Sequence, residues 1–243
     1  MDKNIEMLGK WVKNSEKIVF FGGAGVSTES GIPDFRSVDG LYRQKYEFPP
    51  EEVLSHSFFV RNTEYFYRFY RDKMLFLDAR PNACHCALAK LEEQGRLSAV
   101  VTQNIDGLHY KAGSRNVFEL HGSVLRNYCL GCGTFYGAEY IKSSSGIPRC
   151  EKCGGLIKPD VVLYEESLDS DVIEGAVRAI SDADLLIVGG TSLVVYPAAG
   201  LVSYYRGKNI AMINKSATGM DSSAGLVIRE GIASVFAQIM PGA

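Results

Sequence analysis

Four cysteines in two close pairs, Cys129-Leu-Gly-Cys132 and Cys150-Glu-Lys-Cys153, are the residues whose spacing points most directly to chemistry. A C-x2-C hairpin presents two thiolates to one ion, and a second hairpin completes a tetrahedral sulfur cage suited to zinc. Gly131 and Gly133 flank Cys132, and Gly154 and Gly155 follow Cys153, which lets the backbone turn tightly around a metal. Four thiolates leave no open coordination position, so one zinc ion held by Cys129, Cys132, Cys150 and Cys153 would be structural. Two disulfides or free core cysteines are the competing readings. On the zinc reading the reactive groups lie elsewhere in the chain.

The first candidate is Gly23-Ala24-Gly25, which follows an apolar run at Lys17 to Phe21. After a strand, such a turn lets backbone N–H groups approach a phosphate at a helix N-terminus. As a dinucleotide fingerprint it is incomplete, because Thr28 stands at the third glycine position and no acidic residue marks the end of the next strand. Taken alone, it is as readily a plain structural turn. The continuation from Ser27 to Arg36 adds an aromatic ring in Phe35, which can cover a flat ligand, and a guanidinium in Arg36, which can reach a pyrophosphate. A second cluster, Thr102-Gln-Asn-Ile-Asp-Gly-Leu-His109, offers Gln103, Asn104 and Asp106 to ribose hydroxyls and an amide. An Asx-rich helix cap is its plainer alternative. Gly189-Gly-Thr-Ser192 and Asn214 are two more polar groups that follow apolar runs. Four polar strand ends argue for a large ligand such as a dinucleotide.

The elements that must position these groups alternate. Apolar runs at 17–21, 98–102, 183–189 and 209–214 read as buried strands, and a helical stretch at about 87–93 precedes the second. Strands alternating with helices imply an α/β fold with a mostly parallel sheet covered on both faces. Two segments break the rhythm. Ser57 to Leu77 carries Phe and Tyr at helical spacing and predicts an inserted helix, and about 126–158 forms the cysteine module with Ser143 to Gly146 as its loop. The net charge of −2 gives no basic face for a nucleic-acid backbone. No apolar run approaches the roughly 20 residues that span a bilayer. The N-terminal segment is amphipathic through Ile5, Leu8 and Val12 and does not resemble a signal peptide. Cys84 and Cys86 stand too close together for an ordinary mutual disulfide, which fits a reducing, cytoplasmic setting.

Gly23-Ala-Gly-Val-Ser27, Gly31-Ile-Pro-Asp-Phe-Arg36, Thr102-Gln-Asn-Ile-Asp106, the His121-Gly122 pair and the two cysteine hairpins resemble, in order and spacing, the sirtuins of bacterial type. These are NAD-dependent protein-lysine deacylases. The resemblance runs from about Trp11 to Phe236. It implies a single catalytic domain over 1–243, with a Rossmann-like large domain at about 1–40, 81–125 and 159–243. The small lobe would hold a helical module at about 41–80 and a four-cysteine zinc ribbon at about 126–158. NAD as co-substrate and an acyl-lysine protein or peptide would meet in the cleft between them, in a monomer that binds neither membrane nor nucleic acid directly.

The resemblance also assigns residues. Ala24, Thr28, Phe35 and Arg36 would line the NAD site, with Gln103, Asn104, Ile105 and Asp106 at the nicotinamide ribose and carboxamide. Thr191, Ser192, Asn214 and Ile232 would reach the adenosine half. Val162, Leu163 and Tyr164 would pair with the peptide as an added strand. His121 and Asn104 would be catalytic. In the sirtuin scheme the acetyl-lysine oxygen attacks the ribose C1′ as nicotinamide leaves, and a base then activates a ribose hydroxyl to attack the resulting imidate. Lysine and O-acetyl-ADP-ribose are the products. Histidine suits the base because it is largely neutral near pH 7. His109 reads as a supporting residue, and His56 and His85 as structural.

The chain departs from the family at two places. Many sirtuins carry Phe-Gly-Glu where this chain has Tyr164-Glu165-Glu166, and the added charge would favour basic residues around the target lysine. Members that remove succinyl groups use a Tyr and an Arg three residues later. Alignment puts Tyr67 and Tyr70 there, with Arg71 one residue late, while Tyr65 with Arg68 has the spacing in another frame. Deacetylation, or removal of longer neutral groups, is therefore expected over desuccinylation. A mono-ADP-ribosyltransferase, a zinc-ribbon binding module and an NAD dehydrogenase are the alternatives.

Overall fold

The computed structural model describes residues 2–35, 40 and 47–242. Helix α1 (Lys3–Asn14) leads into strand β1 (Ile18–Gly22), followed by 3-10 turns at Ala24–Val26 and Thr28–Ser30. Helices α2 (Pro50–Val53), α3 (His56–Arg61) and α4 (Thr63–Lys73) form the inserted module. Then come α5 (Ala83–Glu93), β2 (Leu97–Thr102), α6 (Leu108–Ala112) and β3 (Val117–Glu119). The cysteine module is built from β4 (Gly122–Cys129), β5 (Phe135–Gly137), α7 (Ala138–Ser143) and β6 (Ile157–Val161). The chain returns through α8 (Ser170–Asp182), β7 (Leu185–Gly189), β8 (Asn209–Ile213), β9 (Leu226–Ile228) and α9 (Ile232–Ile239).

The main sheet has the order β3-β2-β1-β7-β8-β9, and every neighbouring pair is parallel. Successive side chains of a strand point to opposite faces. Ile18, Phe20, Leu185 and Ile187 therefore pack with Ile5, Leu8, Leu88 and Phe236 of α1, α5 and α9. Val19, Phe21, Leu186 and Val188 pack on the other face with Ala176 and Ile180 of α8. Both faces are covered, so β1 and β7 read as unbroken apolar runs. The order in which strands are added reverses between β1 and β7: β2 and β3 extend the sheet one way, β8 and β9 the other. Open α/β sheets bind ligands outside the carboxyl ends of strands at such a switch point.

The smaller sheet, β5-β4-β6, is antiparallel and shares a third core with the inserted helices. Phe58, Phe59, Phe66, Tyr67 and Tyr70 pack there with Cys129, Cys150 and Ile157. The helix expected over Ser57 to Leu77 is instead two helices. Asn62 leaves the helical region (φ −137°, ψ 51°), and the bend turns Phe59 and Phe66 edge-on to each other at 4.9 Å between ring centres. One polar residue in a run of aromatic spacing conceals such a break. The three-residue strands β3 and β9 were not expected from sequence, because three residues carry too little pattern to read.

Strand β4 leaves the catalytic histidine candidate through Gly122, which pairs with Val161 of β6 and has φ +72°. A Cβ there would overlap the carbonyl of Asp160, whose carbon would lie only 2.9 Å away. Gly122→Ala adds a left-handed strain to that clash and should destabilise the protein by about 2–4 kcal/mol in urea unfolding. A variant within about 0.5 kcal/mol of wild type would show that this strand pairing is not rigid.

Candidate active site and metal centre

The switch point brings the four polar clusters together. Gly23 N donates to Gly189 O at 3.2 Å and Gly25 N to Gly190 O at 2.8 Å, so the turn after β1 rests directly on the turn after β7. Gln103 N donates to Gly22 O at 2.9 Å, and Gly190 N to Ile213 O at 3.0 Å. These bonds place the starts of four loops side by side. Behind them, Asn82 caps α5 through its Oδ1, which accepts from Cys84 N. Its Nδ2 donates to Val26 O at 2.8 Å and Ser30 Oγ at 2.9 Å, fixing the glycine turn from below. His85 completes that cap, with Nδ1 accepting from Asn82 N, and burial lowers its pKa to about 4. His109 is also buried, 4.7 Å from His85 between ring centres, and burial holds its pKa well below the ordinary value.

Side chains link the clusters. Asn104 Nδ2 donates to Ser27 Oγ at 3.1 Å, and Ser27 Oγ donates to Asp106 Oδ2 at 2.6 Å. Burial raises the Asp106 pKa against the opposing Ser27 and Leu108 hydrogen bonds. Asp106 Oδ1 also accepts from Leu108 N, so the helix-cap reading and the site reading describe one carboxylate. Sequence reasoning missed Ser27 as the bridge; its place inside the glycine motif was the available signal. Gln103 Nε2 donates to Thr191 Oγ1 at 3.3 Å, and Thr191 N donates to Asn214 Oδ1 at 2.9 Å. Asn214 Nδ2 is buried and finds no partner among the described residues. An unmet buried donor costs about 1–3 kcal/mol, so this atom fits a site completed by a polar ligand.

Other expected residues lie around this line. Ala24 and Thr28 sit on the 3-10 turns, half-buried, and Phe35 packs its ring toward the core of the small lobe. Arg36 lies outside the described residues. Ser192 is exposed beside buried Thr191. Ile232 opens α9 with its side chain in the core against Gly189, which leaves only backbone to offer a ligand. Val194 and Tyr196, exposed after this cluster, had no sequence signal beyond being apolar.

His121 stands at the junction of the two sheets. Its Nδ1 lies 3.0 Å from Gln103 O, and a carbonyl only accepts, so Nδ1 carries the proton and Nε2 keeps its lone pair. Burial lowers the His121 pKa, with the Gln103 hydrogen bond opposing. The backbone of His121 also receives Val162 N at 3.0 Å, which ties the segment 162–164 to the base candidate. Val162 is half-buried, Leu163 buried and Tyr164 exposed.

The acidic pair after this segment is spent internally, contrary to the expectation that it draws basic residues. Glu165 accepts from Ser57 N and Ser57 Oγ, and Glu166 meets His56, Lys158 and Leu163 N. Tyr67 and Tyr70 are fully buried in the small lobe, Tyr67 bonding Ile157 O and Tyr70 stacked on Phe66. Arg71 donates to Ser144 Oγ and Gly146 O, and Arg68 lies over the Tyr65 ring. The aligned frame therefore offers no free Tyr–Arg pair, whereas in the other frame Tyr65 and Arg68 do pair, with Arg68 exposed.

The cysteines meet as the spacing predicted. The four Sγ atoms lie within 4.8 Å of one another, with Cys129 and Cys150 buried, Cys132 and Cys153 exposed. Separations of 3.4 Å for Cys129–Cys153 and 3.6 Å for Cys132–Cys150 are too long for disulfides. They are near the ~3.8 Å that a tetrahedral Zn–S4 cage requires. Tyr136 OH donates to Cys150 Sγ at 3.2 Å and Gly131 N to Cys129 Sγ at 3.3 Å, which suits sulfur that carries negative charge. The donor set fits zinc and leaves no position for chemistry.

A parallel sheet with its ligand face at the switch point, a histidine whose Nε2 keeps its lone pair and a separate cage of four cysteines fit a nucleotide-using enzyme with a structural metal. The Sir2 family pattern matches residues 23–197. The chain is 62% identical over 243 residues to an NAD-dependent protein deacetylase of Clostridium perfringens, covering 99% of this chain and 100% of that one. To the NAD-dependent protein deacetylase of Clostridium acetobutylicum it is 61% identical, over 99% of both. Among solved structures, Sir2 with a p53 peptide and NAD+ superposes with TM-score 0.86 at 41% identity, covering 98% of each chain. Sir2 bound to acetylated peptide gives TM-score 0.87 at 39% identity, over 99% of this chain and 98% of that one. This chain belongs to the Sir2 family. No helix among the described residues is long and apolar enough to cross a membrane.

Cys129→Ser should lose the metal and lower the melting temperature, because metal binding contributes directly to folding free energy. Elemental analysis decides the point: one zinc per chain in wild type and far less in the variant is expected, and equal content in both would rule out the four-cysteine cage.

Proposed function

We propose that this chain is an NAD-dependent protein-lysine deacetylase, which moves the acetyl group of an acyl-lysine protein to ADP-ribose and releases nicotinamide and O-acetyl-ADP-ribose. The observation that carries this reading is His121. Its proton is held on Nδ1 by the carbonyl of Gln103, the neighbour of Asn104, which leaves Nε2 its lone pair, and its own carbonyl accepts from Val162 N of the segment 162–164. The NAD-dependent protein deacetylase activity by which relatives at up to 62% identity are named supports the same reaction.

In this reading NAD is bound as a substrate along the four strand ends. Ala24, Thr28, Phe35 and Arg36 line its phosphates and the ring beyond them. Gln103, Asn104, Ile105 and Asp106 hold the nicotinamide ribose and the carboxamide. Thr191, Ser192 and Asn214 reach the adenosine half, Asn214 with its unmet Nδ2, and Ile232 contributes backbone only. Asn104, held by Ser27, orients the ribose, and His121 Nε2 takes the proton of a ribose hydroxyl. Val162, Leu163 and Tyr164 receive the peptide that carries the acyl-lysine. Neutral acyl groups are favoured in the aligned frame, since Tyr70 is buried against Phe66 and Arg71 donates to Ser144 and Gly146. Zinc holds the ribbon and takes no part in the chemistry. A reducing, cytoplasmic setting suits a cage of four thiolates, which must stay unoxidised to hold a metal.

His121→Ala should lower kcat by roughly 10²- to 10⁴-fold while NAD still binds, read by turnover of an acetyl-lysine peptide beside calorimetric NAD titration. Near-normal turnover would remove His121 from the base role. The pH profile gives a second check. A base acts when unprotonated, and the His121 pKa lies below its ordinary value of 6.5. The acid limb of the rate should therefore fall off below pH 6.5. A loss already half complete above pH 7 would contradict this environment.

A further inference from the structure

Glu165 departs from the glycine common in the family, and its backbone keeps the conformation glycine favours. Its φ is +76°, in the left-handed region that L side chains rarely adopt. Such a residue persists only where its surroundings over-determine it, and such residues gather at functional sites. Here the surroundings are specific. Glu165 Oε2 accepts from Ser57 N at 2.8 Å, and Oε1 accepts from Ser57 Oγ at 3.0 Å. On one side, Tyr164 N donates to Leu54 O and His56 N to Tyr164 O, both at 2.9 Å. On the other, Glu166 binds His56 Nδ1 at 2.8 Å and Lys158 Nζ at 3.0 Å. The far end of the segment is fixed by Val162 N on His121 O.

We propose that Glu165 is a positioning residue that orders the segment 162–164 before substrate arrives, by fastening it through Ser57 to the inserted helical module. This rests on the reading of 162–164 as the edge that receives the acyl-lysine peptide. A peptide that adds to a mobile loop must also order that loop, and the cost appears as weaker binding; an edge already fixed removes it. Glycine at this position satisfies the backbone but supplies no tether. Glutamate supplies the tether and accepts the backbone strain.

The test combines steady-state kinetics with hydrogen exchange on the zinc-loaded protein. Glu165→Gly accommodates the same backbone conformation and removes the whole side chain, the tether with it. It should raise the KM for an acetyl-lysine peptide about five- to tenfold while the KM for NAD stays within about twofold. Amide exchange across 162–166 should quicken in the absence of peptide. Glu165→Ala should show the same split with a lower melting temperature than Glu165→Gly, because alanine keeps the strain and loses the tether. Ser57→Ala, which removes one of the two bonds, should shift peptide KM in the same direction by less. Unchanged peptide KM and unchanged exchange in Glu165→Gly overturn the proposal. If wild type itself removed no acyl group, the deacetylase reading would fall, and the exchange rates alone would decide whether Glu165 orders the segment.

Discussion

The site depends on one close approach, that of the two glycine turns at the centre of the sheet. Gly25 N reaches Gly190 O at 2.8 Å, and a Cβ on Gly25 would stand 2.8 Å from the Gly190 Cα. Gly190 itself has φ +61°, and a Cβ there would strike the backbone of Val26. Only glycines allow β1 and β7 to end in contact, and this contact sets the depth at which Gln103, Thr191 and Asn214 emerge. The apolar cores on either face hold the sheet between its helices. The glycine contact decides what the sheet presents to a ligand.

A second constraint joins the lobes. Strand β4 begins immediately after His121 and ends at Cys129, so one eight-residue strand carries the base candidate at one end and a thiolate at the other. Arg126, midway, donates to Glu119 of β3 and Asp160 of β6, both at 2.7 Å, and so ties both sheets together. The thiolate cage thus bears on the placement of His121 through the length of one strand. It stabilises the small sheet, which sets where Val162 meets His121 and where α3 can hold Glu165. A small lobe of this size has little core of its own beyond the aromatic cluster, and a metal is a common supplement for such modules.

The sequence made the architecture and most of the site legible for physical reasons. Strands buried on both faces read as apolar runs, and the four central strands of the main sheet fall within a residue or two of the expected ends. The cysteine hairpins carry their geometry in their spacing, and His121-Gly122 is a pair because Gly122 has no room for a side chain. What was hidden depends on tertiary contact. The break at Asn62 shows no strong breaker residue. Ser27 joins Asn104 to Asp106 across 77 and 79 positions of sequence, a relation no local pattern encodes. Glu165 and Glu166 bond Ser57 and His56, about a hundred residues away in sequence, and these partners are invisible to a local pattern. Tyr70 aligned with a specificity position, yet its burial in the small lobe gives it a packing role.

The most direct test of the central claim is the stoichiometry of the reaction, read by mass spectrometry of the purified protein with NAD and matched acetyl- and succinyl-lysine peptides. Equal amounts of deacetylated peptide, nicotinamide and O-acetyl-ADP-ribose, with the succinyl peptide largely spared, are the expected result. Consumption of NAD with every acyl group intact and ADP-ribose on protein would contradict it and assign the same site to ADP-ribosyl transfer.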